Sequence, residues 1–93
     1  MPNEYLPANT ERIRLAVPEL AARPFQGSGC CVVAAADLVC DALDGLHGVR
    51  AVACDEEHGE IRLELDPDLG AGLLPTVRAI LDGIGYPVAE VRA

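Results

Sequence analysis

The sequence predicts an α+β domain whose elements run β-α-β-β-α-β. Two observations carry this. "RIRLAVP" and "EIRLELD" alternate apolar and polar residues with period two, and the stretches after residues 31 and 72 switch to apolar steps of three and four. Segments rich in glycine and proline separate these blocks.

In chain order, residues 1–10 hold two prolines and two asparagines and read as a loose tail, leaving 11–93 as one domain. Ile13, Leu15 and Val17 form the apolar face of a first strand, ended by Pro18. Residues 18–30 are expected to be an enlarged loop, in which "ELAAR" is long enough for a single helical turn. From Cys31 the reading is helical, striped by Val32, Ala36, Val39, Leu43 and Leu46 and stopped by Gly45 and Gly48. Residues 49–54 make a second strand with Val52 and Cys54 in phase, and "DEEHG" a polar hairpin turn. "EIRLELD" is the third strand, with Ile61, Leu63 and Leu65 inward. Leu73, Val77, Ile80, Leu81 and Ile84 stripe a second helix, closed by Gly83 and Gly85, and "YPVAEVR" supplies the last strand.

One apolar face per strand and one stripe per helix suit a two-layer sandwich. With right-handed crossovers this order gives a four-stranded antiparallel sheet with both helices on one face, the ferredoxin-like fold. Cys30, Cys31, Cys54, His58 and Tyr86 then fall at or near one end of the sandwich, and His47 at the other.

Composition narrows the function. Of 93 residues 51% are hydrophobic but only 3% aromatic, so the core must be aliphatic. Seven basic against fifteen acidic residues give a formal charge of −8. Such a surface argues against nucleic acid or an anionic membrane as partner, since both recruit Lys and Arg. The N-terminal stretch has Glu4 and Glu11 and no apolar segment of the secretory type. The uncharged run from Pro24 to Ala36 is too short to span a bilayer. The expectation is a cytoplasmic protein without membrane insertion, whose four cysteines stay reduced and act as metal ligands, reactive groups or core filler. Nor is an enzyme expected. There is no Ser-His-Asp or Cys-His arrangement, no phosphate-binding loop and no Cys-x-x-Cys opening a helix.

Three segments carry a family resemblance over roughly residues 11–92. "RLAVP", "LDGLHGVRAV" and "LDGIGYPV" resemble, in order, the first strand, the Leu-x-x-Leu-x-Gly-Val-x-x-Val segment and the closing Ala-Gly-Tyr-x-Val of the heavy-metal-associated domain family. That family includes copper chaperones, the periplasmic mercury-binding protein and N-terminal domains of heavy-metal P-type ATPases. The family's Gly-Met-x-Cys-x-x-Cys is absent, and the loop after the first strand is enlarged. "GSGCC" instead resembles the first half of the Gly-x-Cys-Cys-x-x-Glu found in zinc- and cadmium-type ATPase domains, with alanines where the acidic residue would stand. The resemblance implies one bound soft or borderline ion, zinc or cadmium before copper(I) or mercury(II). It also implies a partner that is a metal-transporting ATPase or another thiol-bearing acceptor. It places Tyr86 as the aromatic residue that packs beside the metal loop and limits water.

The residues themselves frame the same question. Cys30 and Cys31 follow glycines that let the chain bend. At a helix start, unpaired N–H groups would favour their thiolates. Two thiolates suit soft metals, and zinc or cadmium would need about two further ligands. Cys54 and His58 are the candidates within the chain; a second copy, in a metal-bridged dimer, is the alternative to a monomer. Each has a plainer reading: Cys30 and Cys31 as small residues packing a helix start, Cys54 as a small hydrophobe, His58 as part of a solvated turn. A Cys30–Cys31 disulfide is disfavoured because neighbouring Cα atoms sit about 3.8 Å apart. Cys40, about two and a half turns beyond Cys31, falls on the far side of the helix as half-buried filler. The competing function is a metal-free ferredoxin-like regulatory or protein-interaction module. Exposure of the Cys30 and Cys31 sulfurs separates the two: open, converging thiols favour metal.

Overall fold

A computed structural model describes residues 11–27 and 29–92; the predicted N-terminal tail lies outside the described residues. The elements are β1 (Glu11–Ala16), α1 (Pro18–Ala22), β2 (Phe25–Gln26), β3 (Val33–Ala34), α2 (Ala35–Asp44), β4 (Val49–Asp55), β5 (Glu60–Leu65), α3 (Gly70–Gly83) and β6 (Glu90–Arg92). The main sheet has the order β4-β5-β1-β6 and is antiparallel at every junction. With α2 and α3 as its substantial helices, this is the ferredoxin-like arrangement.

Period-two alternation decides the faces. Ile13 and Leu15 of β1 and Ile61, Leu63 and Leu65 of β5 point into one core, which Val39 and Leu43 of α2 and Val77 and Leu81 of α3 complete. Both helices therefore cover the same face of the sheet. Apart from Tyr86 this core is aliphatic, and among the described residues it buries no charged side chain. On the opposite, open face the register aligns Arg62, Arg14 and Arg92 in one row across β5, β1 and β6. Glutamates on the same face answer them: Glu60 reaches Arg62 at 3.0 Å and Arg14 at 4.0 Å, Glu90 reaches Arg92 at 2.9 Å, and Glu64 reaches Arg12 at 3.9 Å. The open face is a solvated ionic lattice in which each pair adds little stability.

In the segment after β1 one expectation holds and two do not. The predicted helical turn is present as α1, where Leu20 is fully buried and ties the segment to the core. The long helix, however, begins at Ala35 and not at Cys31. Residues 33–34 are extended instead, pairing with 25–26 in a separate two-stranded hairpin (Phe25 opposite Ala34, Gln26 opposite Val33). The Ala35 amide donates to the Pro24 carbonyl at 2.8 Å, closing the base of that hairpin where the helix starts. The buried stripe of α2 is accordingly Ala35, Val39 and Leu43 at steps of four, while Val32 is 49% exposed.

Candidate metal centre

The tip of the β2–β3 hairpin holds Cys30 and Cys31, both exposed, with their sulfurs 3.8 Å apart. Gly27 is the residue that makes this tip possible. Its φ is +98°, a left-handed conformation, and a Cβ there would clash with the Cys31 carbonyl oxygen. The helix starts four residues later, so the two thiols stand on a loop and not at a helix terminus. The sequence pattern put them at the opening of a helix, and the structure puts them on a hairpin tip.

The other candidates do not converge on this pair. Among the described residues, no cluster of three Cys, His, Asp or Glu ligand atoms within 4.8 Å of one another includes a cysteine. Cys54 does face the helices as its phase predicted, but its sulfur lies 3.9 Å from that of Cys40 and 3.9 Å from the Ala36 carbonyl. Burial pushes the Cys54 thiol up to about 12, with the neighbouring Cys40 and then the Glu56 and Asp37 carboxylates adding to it. The Cys40–Cys54 pair is what sequence reasoning missed. Measured from a helix opening at Ala35, Cys40 stands one turn after half-buried Ala36, on the flank that meets β4.

His58 belongs to the β4–β5 turn, where Asp55, Glu57 and His58 bring ligand atoms within 4.8 Å of one another. Its Nδ1 is 2.7 Å from Asp55 Oδ2, and its amide donates to Asp55 Oδ1 at 3.2 Å. This cluster could accept a divalent ion through its carboxylates and imidazole. The same hydrogen bond raises the His58 pKa and lowers that of Asp55. The histidine's share of stability is complete below its ordinary value of about 6.5 and is lost as pH rises through the raised folded value. The aspartate's share is complete above about 3.9 and is lost as pH falls through the lowered one. The pair is therefore strongest between about pH 4 and 6.5. Following the His58 ring protons by NMR should give a midpoint above the ordinary histidine value that Asp55→Asn returns toward it. Equal midpoints in the two proteins would mean the turn does not hold this bond.

Tyr86, three residues past the end of α3 in its connection to β6, is fully buried. Its hydroxyl donates to the Arg23 carbonyl at 2.8 Å, two residues before β2. The Arg23 guanidinium stacks over the same ring at 4.8 Å, donates to the Gly85 carbonyl, and pairs with Glu19 at 2.8 Å. Tyr86 thus anchors the stem from which the dithiol hairpin grows.

No protein-family model, curated protein or solved structure matches the chain. Among the described residues no helix is long and apolar enough to cross a membrane.

Proposed function

We propose that this chain is a metal-binding domain of the heavy-metal-associated type, holding one soft or borderline ion on Cys30 and Cys31 and passing it to a thiol-bearing acceptor. The observation that carries the reading is the pair of exposed sulfurs 3.8 Å apart. Two thiolates on one tetrahedral zinc, each about 2.3 Å from the metal, lie about 3.8 Å from one another, whereas a linear two-coordinate ion would need about 4.6 Å. The bite supports zinc or cadmium ahead of copper(I) or mercury(II). The remaining coordination positions stay open to solvent or to a partner's sulfurs. Transfer then proceeds by ligand exchange: an incoming thiolate binds the ion before Cys30 or Cys31 leaves. A metal-transporting ATPase is the natural acceptor, in the cytoplasm, and the role is binding and delivery without catalysis.

A second reading, a metal-free interaction module, draws on one observation. Phe25, Val32 and Val33 expose 63%, 49% and 45% of their surface on the same hairpin. Titration of the reduced chain with Zn(II), Cd(II) and Cu(I) against a competing chelator, beside Cys30→Ser/Cys31→Ser, decides between them. We expect one equivalent retained by the wild type and lost by the variant, with Zn(II) or Cd(II) held in preference. Equal binding by both proteins, or none by either, gives the hairpin to the interaction reading.

A further inference from the structure

Four cysteines form two pairs, and the metal reading uses only one. We propose that Cys40 and Cys54 are an oxidation site, a second dithiol that a hydroperoxide converts into an intramolecular disulfide joining α2 to β4. This does not rest on the metal reading.

The geometry is that of two thiols already in contact across a packed interface. Cys40 lies on α2 and Cys54 on β4, fourteen positions apart in sequence, with 3.9 Å between sulfurs. A disulfide bond is about 2.05 Å long, so closure moves the sulfurs together by less than about 2 Å. The elements are held in place independently. Val39 and Leu43 are fully buried on α2, and Val52 beside Cys54 packs on the same core. Cys54 also sits over Ala36, one turn before Cys40, so its sulfur faces the helix and not solvent. Both residues are half-buried, which leaves them within reach of a small oxidant.

The chemistry balances with the hydroperoxide as sole oxidant. The Cys40 sulfur attacks the terminal peroxide oxygen, the O–O bond breaks, and one alcohol (or water, from hydrogen peroxide) leaves with Cys40 as its sulfenic acid. Cys54 then attacks the Cys40 sulfur, and the displaced hydroxyl takes the Cys54 proton and departs as a second water. Two thiols lose two electrons and two protons, and the peroxide gains them. The order of roles follows from the environment. Cys54, its sulfur turned onto the helix toward the Ala36 carbonyl and 3.9 Å from that of Cys40, is placed to resolve the sulfenic acid formed there.

The test uses the full chain carrying Cys30→Ser/Cys31→Ser, so that only this pair can react. After stoichiometric hydrogen peroxide, the titratable thiols in denaturant should fall from two to none. The mass should fall by two hydrogens, with no dimer formed. Arg50 and Arg62 bracket Cys54, so trypsin releases it within residues 51–62; Pro24 blocks cleavage after Arg23, so Cys40 stays within residues 15–50. The oxidised protein should yield these two peptides joined, and separated again by reductant. Adding Cys54→Ser should stop the reaction at a Cys40 sulfenic acid that dimedone traps. In the wild-type chain residues 15–50 also carry Cys30 and Cys31, so a further cut before aspartate frees Cys40 within residues 37–40; that peptide joined to the one holding Cys54 is the expected product, which keeps the test valid where a serine variant folds poorly. Two free thiols after oxidation, oxygen added to both sulfurs separately, or disulfides only between chains would each overturn the proposal.

Discussion

Replacing Tyr86 with alanine should destabilise the domain by about 3–5 kcal/mol, the usual cost of removing a fully buried aromatic side chain. The cavity is only part of the loss. The ring carries the Arg23 guanidinium on its face, and its hydroxyl is the donor to the Arg23 carbonyl. Tyr86→Phe separates the two contributions. It keeps the ring and its packing and deletes one hydrogen bond, for a cost of about 0.5–1.5 kcal/mol. If Tyr86 anchors the hairpin stem, Tyr86→Phe should also raise amide exchange in residues 23–34 more than in β5. Exchange that rises evenly across the chain would mean that the hydroxyl serves global stability alone. The measurement is urea unfolding followed by amide hydrogen exchange on the same three proteins.

The second large effect belongs to Leu15. It lies on β1, a central strand, paired with Ile61 on one side and Val91 on the other, and it is fully buried. Leu15→Ala should cost about 2–5 kcal/mol, against a total that for a small domain is about 5–15 kcal/mol. Leu69, 37% exposed at the start of α3, is the internal comparison, and its replacement by alanine should cost well under half as much. Denaturation midpoints with unchanged slopes would read these as differences in stability. Equal costs at the two sites would contradict the layering of sheet and helices.

The contrast between Leu15 and Cys30 shows what the sequence could and could not disclose. Leu15 sits in a strand whose alternation is uninterrupted, so period, face and burial were all legible from five residues. The same held for Ile61, Leu63 and Leu65, and for Val77 and Leu81 at helical spacing. Around Cys30 the local signal was ambiguous. Val32, Val33 and three alanines are apolar whichever way they are spaced, so a helix from Cys31 and a short strand before Ala35 fit the pattern equally well. Tertiary context chose the strand. Phe25 and Gln26 pair with residues 33–34, and the Pro24 carbonyl takes the Ala35 amide. That shift by four residues also hides the Cys40–Cys54 contact, because a helix drawn from Cys31 assigns Cys40 to the side opposite the thiols and gives no reason to pair it with β4. Contacts between elements distant in sequence leave no periodic trace in either one.

The dithiol hairpin is joined to the sandwich at its stem and only two residue pairs long. Its outer side chains, Phe25, Val32 and Val33, are largely solvated, so little of the core depends on its shape. Mechanically it is a compliant jaw mounted on a stiff frame. A jaw of that kind does not dictate one separation between its two sulfurs; it can widen by several tenths of an ångström at small cost in folding energy. That range covers the span of two thiolates on tetrahedral zinc or on the larger cadmium but stops short of the about 4.6 Å of a linear ion, so the choice within the favoured pair falls to the softness of sulfur and the supply of each metal.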